Sequence, residues 1–130
     1  METSGKTREF SSGSKRDFAD HKPRMELLPL DLLERVAIWY GLGADKYGDN
    51  NWRKGQPQSA VFGSLMRHAS KYAKGDRTED HLSAIVWNAL CLINDEEYHA
   101  ENPLICDMTG WFKDNKPTGK GSCTGGQQES

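Results

Sequence analysis

The sequence predicts an all-α fold: a small helical domain of three to five helices, oligomeric, with flexible arms at both ends. Three observations lead there. Apolar residues recur at three- and four-residue steps in three separate segments, the spacing of a helix with one buried face. No stretch shows the two-residue alternation of a half-buried strand. The apolar residues also crowd between Met25 and Tyr98, whereas both ends are polar and rich in Gly and Ser. These shifts divide the chain into an N-terminal arm (1–21), a helical domain (22–112) and a C-terminal tail (113–130).

The first helix is expected from Leu30 to about Gly43, with Pro29 suited to its opening turn because the N–H it lacks would be unpaired there. Leu33, Val36, Ala37, Tyr40 and Gly41 form its inward stripe, and Glu34, Ile38 and Asp45 project from a neighbouring side. Gly41 and Gly43 weaken it, each by ~1 kcal/mol relative to alanine. "YGDNNW" then signals a turn, in which Gly48 supplies unusual backbone angles. Ser59 reads as the N-cap of a second helix from Ala60 to about Lys74. Thr78 reads as the N-cap of a third, from about Glu79 to Tyr98, with Leu82, Ile85, Val86, Ala89, Leu90 and Ile93 along its inward face. Leu104, Ile105, Trp111 and Phe112 make a small apolar patch that docks as a loop or short helix.

Hydrophobic residues make up 35% of the 130, and mean hydropathy is -0.80. A core of ~75 residues is marginal alone, which is one reason to expect a homo-oligomer. The net charge of -2, from 17 basic and 19 acidic residues, argues against a binder of polymeric nucleic acid. A single nucleotide needs only a few local cations and stays possible. Three cysteines, an odd number with no CxxC spacing, argue against structural zinc and against a disulfide framework. Cys91 reads as a small core residue, and nothing beside Cys106 or Cys123 activates a thiolate. With no apolar run of ~18 residues and no signal-peptide pattern, the expectation is a cytoplasmic protein in a reducing compartment, with no membrane partner.

Polar side chains gather at the helix ends. Arg67, His68 and Lys71 lie on the second helix, Asp76 follows it, and Asp80 and His81 open the third. Asn88 lies two turns after His81 and shares its face. This set fits a site for a divalent metal and phosphate. Glu34, Asp45, Asp76 and Asp80 offer the oxygen ligands that Mg²⁺ prefers. Lys22, Arg24, Lys46, Arg67 and Lys71 offer cations for phosphate. Asn51 offers an amide donor, and Tyr47 or Trp52 a ring to stack on a base. Asp80 or His81 is the expected general base. A plainer account stands beside it: His68 as a solvated helix residue, Asn88 as a satisfied core amide, Trp52 as a cover for the core edge.

Four stretches come in order and closely spaced: "KPRMELLPLDLL", "GADKYGDNNWRKG", "SLMRHASKYAKGD" and "DHLSAIVWNALCLI". Together, over roughly Lys22 to Glu96, they resemble a family of small phage-encoded dATP/dGTP diphosphohydrolase domains, whose relatives include enzymes of the 2-aminoadenine genome pathway. The resemblance implies cleavage of a purine deoxynucleoside triphosphate to monophosphate and pyrophosphate. It also implies a functional likeness to all-α pyrophosphatases of the MazG type, which hold Mg²⁺ on helical carboxylates and act as oligomers. In a phage making 2-aminoadenine DNA, such an enzyme yields dGMP as precursor and removes dATP. The chain departs from the MazG signature: neither Glu-x-x-Glu nor Glu-x-x-Asp is present, and the first helix offers only Asp31 and Glu34 at the equivalent spacing. That departure keeps two alternatives open, a nucleotide-sequestering protein without catalysis and a helical interaction module.

Overall fold

A computed structural model describes residues 7–17 and 22–108. The tail from Lys113 onward and the residues Trp111 and Phe112 lie outside these, as do the ends of the N-terminal arm. The chain divides into two units, Met1–Leu30 and Asp31–Ser130.

The first unit holds an antiparallel hairpin of β1 (Thr7–Glu9) and β2 (Lys15–Asp17), with Arg8 opposite Arg16. Its turn closes through the Phe10 N–H to the Ser14 carbonyl at 2.8 Å. This corrects the expectation of a chain without strands. Two three-residue strands, exposed where their burial is described, are too short to show an alternation of apolar and polar residues. A single 3₁₀ turn, Met25–Leu27, follows, beside an ion pair of Arg24 and Glu26 at 3.0 Å.

The second unit is built on α1 (Leu30–Tyr47), α2 (Gln58–Ala73) and α3 (His81–Tyr98). The fold class is thus mostly helical, as expected. α1 continues past Gly43, so the two glycines weaken the helix without ending it. The stop comes at Gly48, whose φ of 96° suits glycine and whose N–H bonds the Ala44 carbonyl at 2.8 Å. A 3₁₀ turn, Asn51–Lys54, then leads to Gly55. There φ is 92°, and an added Cβ would stand 2.6 Å from the Ile105 side chain. Glycine is required at that position on both counts.

The helix caps differ from those expected. Pro57, not Ser59, occupies the N-cap of α2. The open N–H groups of its first turn are satisfied from the segment after α3. The Ile105 carbonyl accepts from Gln58 N at 2.8 Å, and the Asp107 carboxylate accepts from the N–H and hydroxyl of Ser59. Thr78 likewise gives way to Asp80 as the N-cap of α3, because the Thr78 N–H and hydroxyl both donate to Asp76.

α2 and α3 pack along their length. α3 turns inward the face carrying His81, Ala84, Asn88, Cys91 and Asp95, all buried and spaced by three and four residues. The predicted inward stripe is therefore corrected. Leu82, Val86, Leu90 and Ile93 stand on the opposite side, 37–51% exposed. The polar inward face is tolerated because it is bonded: Asn88 Nδ2 donates to Ser64 Oγ at 3.3 Å, and Asn94 Nδ2 to the Arg53 carbonyl at 3.2 Å. α1 approaches through long side chains. Tyr40 sets its ring edge-on to Trp52 and Trp87, with centroids 5.7 and 6.5 Å away. None of its residues is fully buried, and Leu30, Leu32, Ile38 and Leu42 are 60–71% exposed.

Cys91 is a free, buried thiol, as read from its setting. Cys106 is fully buried and disulfide-bonded, a departure from the expectation of unpaired thiols. Among the described residues no helix is long and apolar enough to cross a membrane.

Candidate active site

A cavity of about 690 Å³ opens between α1 and the start of α3. α1 contributes Trp39, Lys46 and Tyr47, with Gly43 leaving a side-chain-free stretch of wall. Asn51 and Gln56 enter from the connection to α2. Glu79 and Asp80 lie at the N-terminal edge of α3, and Trp87 lies one face further along it. The volume falls within the range of small-molecule sites, and the mix of indoles with a few polar groups is typical of them.

Asp80 is fully engaged. Arg35 grips it with two hydrogen bonds, Nε to Oδ2 at 2.9 Å and a terminal nitrogen to Oδ1 at 2.7 Å. Ser83 adds its N–H at 3.2 Å and its hydroxyl at 2.6 Å. The Arg35 guanidinium, followed by the Ser83 donors, holds the Asp80 carboxyl well below the usual carboxylate range. This carboxylate is a strong hydrogen-bond acceptor and a weak base.

Behind Glu79 lies a cluster of imidazoles. His68 Nδ1 on α2 meets His81 Nδ1 on α3 at 2.9 Å. Glu79 Oε2 stands 4.0 Å from the first and 3.9 Å from the second. His81 is buried, and its Nε2 faces Asp76 Oδ1 at 3.5 Å. Asp76 accepts from Thr78 N at 2.8 Å and Thr78 Oγ1 at 2.7 Å, contacts that lower its pKa to about 2, with His81 helping. Burial lowers the His68 pKa, opposed by Glu79 and reinforced by the charges of His81, Lys71 and Arg67. The Trp39 ring meets His68 edge-on, 6.1 Å between centroids, which ties the cluster to the cavity wall.

Of the residues singled out in the sequence, Lys46, Tyr47, Asn51 and Asp80 line the cavity, and His68, Asp76 and His81 meet beside it. Arg67 and Lys71 are exposed on α2, near enough for their charges to act on His68. Trp52 does not line the cavity itself but an adjoining hollow of about 30 Å³ that shares Gly43, Tyr47, Asn51 and Trp87 with it. Asn88 is a bonded core amide, as the plainer account had it. Lys22 and Arg24 belong to the first unit. Glu34 and Asp45 are exposed on α1, and a helix rising ~1.5 Å per residue separates them by roughly 16 Å. The four carboxylates expected to cage Mg²⁺ are thus not brought together, and the described residues form no all-oxygen site there. Sequence reasoning missed Glu79, Trp39, Trp87 and Arg35. The signal for Glu79 was its place two residues before His81. The two tryptophans sat inside apolar runs, where a cavity wall and a core position look alike.

Fold and site together define a small, mostly helical protein with a tryptophan-walled cavity beside a histidine–carboxylate cluster. The family model described as dATP/dGTP diphosphohydrolase, N-terminal, matches residues 12–102, more than half of the chain, and the chain belongs to that family. This agrees with the resemblance carried by its four quoted stretches. No curated protein and no solved structure matches it.

Proposed function

We propose that this chain hydrolyses dATP or dGTP to the monophosphate and pyrophosphate. The family name supports the reaction class. The observation that carries the reading is the cavity itself, with Trp39 and Trp87 on its walls, Lys46 at its mouth and Glu79 beside the paired imidazoles. The indoles offer stacking surface to a purine, worth ~1–3 kcal/mol per base. Lys46 supplies a point charge for phosphate. Water attacks the α-phosphorus, the bond to the bridging oxygen breaks, and pyrophosphate departs. The water's proton passes to Glu79, the carboxylate that lines the cavity beside the paired imidazoles. Asp80, with all its acceptor capacity used, positions that group by capping α3. Mg²⁺ enters as the counter-ion of the triphosphate, part of the substrate.

The setting proposed is the cytoplasm of a phage-infected bacterium, where the reaction supplies dGMP and removes dATP during 2-aminoadenine DNA synthesis. Self-association is part of the proposal, supported by the exposed apolar stripe of α3. A second reading, nucleotide sequestration without turnover, is favoured by one observation, the unassembled set of expected carboxylates. Incubation with each dNTP and NTP plus Mg²⁺, with products resolved by ion exchange, separates the two. dAMP or dGMP with pyrophosphate is the expected result. Intact nucleotide across the whole panel, from a folded sample, overturns the enzyme reading for these substrates.

A further inference from the structure

The geometry points to a resident transition-metal site: we infer that His68, Glu79 and His81 bind one first-row dication of the Mn²⁺-to-Zn²⁺ class. Their ligand atoms lie within 4.8 Å of one another, drawn from α2 and from the N-terminal edge of α3. Two imidazole nitrogens at 2.9 Å have one of two explanations. One ring donates its Nδ1 proton to the other, or both lone pairs serve a shared cation. Ligands ~2.1 Å from one ion stand roughly 3.0 Å apart at a right angle and roughly 3.4 Å apart at the tetrahedral angle. The imidazole pair sits at the short edge of that range. Glu79 Oε2, 3.9–4.0 Å from both nitrogens, lies beyond that range and reaches the third position by a shift of its exposed side chain.

An independent feature favours the cation. His81 is 2% exposed, so its ring is held by protein alone. Its Nε2 makes no hydrogen bond and stops 3.5 Å from Asp76 Oδ1, and Asp76 is fixed by two bonds from Thr78. A carboxylate this close to one imidazole nitrogen favours the proton on that side, and a short approach on metal binding would complete the usual support of a metal-bound histidine. The other nitrogen is the one facing His68. Asp80 completes the frame, since its bonds to Arg35 and Ser83 fix the backbone between Glu79 and His81. Imidazoles suit Fe, Ni, Cu or Zn, a carboxylate beside them extends the set to Mn, and Mg²⁺ prefers oxygen throughout. Three protein ligands leave a position open, and Glu79 turns that side toward the cavity.

This inference stands on the cluster and not on the diphosphohydrolase reading, and its test reads metal binding directly. The untagged full chain, stripped by chelator, is titrated with Co²⁺ while visible absorption is followed, and with Zn²⁺, Mn²⁺ and Mg²⁺ by calorimetry. One Co²⁺ per chain with ligand-field bands is expected, and Mg²⁺ binding far weaker. His68→Ala and Glu79→Gln alter less buried groups, so the fold tolerates them better than a change at His81. Each should weaken Co²⁺ at least tenfold, and Asp76→Asn should weaken it by about 10–100-fold through the supporting carboxylate. No Co²⁺ uptake by a folded chain, or uptake unchanged in His68→Ala, overturns the site. Nucleotide turnover assayed separately in Mg²⁺ alone decides the catalytic reading whichever way the titration falls.

Discussion

Arg35 and Asp80, 45 residues apart in sequence, form a two-point hydrogen-bonded ion pair that joins α1 to the first turn of α3. The same carboxylate caps α3 through Ser83. One side chain thus fixes the helix start, the approach of α1 and the place where Glu79 and His81 leave the backbone. Replacing Asp80 with Ala removes the cap and the pair together. A lost cap costs about 1 kcal/mol, and a partly exposed pair adds up to about 1 kcal/mol. Urea unfolding should therefore show a loss of about 1–2 kcal/mol. The sign with pH follows from the depressed carboxyl. The unfolded chain takes up the proton first as pH falls through about 4, so this contribution is present above that pH and lost below it. A midpoint in Asp80→Ala equal to that of the parent at neutral pH would show that the pair holds nothing together.

Asp95 acts in the opposite sense. It is buried on the inner face of α3, with one oxygen accepting from Gln56 N at 3.3 Å and the other unpaired. Burial is the main cause that pushes its pKa up to about 6. The folded chain then binds the proton more tightly than the unfolded one, so stability declines as pH rises from about 4 to 6. Asn at this position keeps an acceptor for Gln56 and removes the charge. Denaturant midpoints between pH 4 and 6 should lose most of their slope in Asp95→Asn, with a remainder from Glu96, which burial shifts the same way. An unchanged slope would place the titrating group elsewhere.

α3 presents two stripes, and the more apolar of them faces out. Leu82, Val86, Leu90 and Ile93 have the spacing of a helix-pairing seam. Light scattering on eluted protein should give a multiple of the 14.6 kDa chain mass, and Leu90→Glu should reduce it to that mass. A parent chain already monomeric at high concentration refutes the seam.

The same stripe explains what the sequence made legible. Its period marked α3 as a helix with the right end at Tyr98. Periodicity cannot say which of two faces meets the neighbour inside one chain, because that choice depends on bonds such as Asn88 to Ser64 and on what else covers the apolar side. Lys46, Tyr47 and Asn51 were readable because glycines and amides around a turn mark an unusual backbone beside polar groups. Arg35 was not, since a lone arginine on a helix has no local signature of a partner 45 residues away. Glu79 escaped for the same reason: its value comes from His68, eleven residues back on another helix.

Lys46 and Trp39 reach the cavity from α1 and offer the cleanest separation of phosphate from base recognition. Lys46 is exposed and has its ammonium 5.2 Å from the Tyr47 ring centroid, so its removal leaves the packing of the helices intact. Lys46→Ala should raise KM for every triphosphate by about tenfold or more, equivalent to about 1.4 kcal/mol of lost phosphate binding. It should do so equally for dATP, dGTP and the pyrimidines, because a point charge on phosphate does not see the base. Trp39→Phe keeps a ring against His68 but shrinks the stacking surface, so its effect should be larger for purines than for pyrimidines. Steady-state kinetics on both variants, with circular dichroism to confirm the fold, read the two effects side by side. A Lys46 variant that discriminates among bases, or a Trp39 variant that treats all nucleotides alike, would mean that the nucleotide lies in this cavity the other way round or not at all.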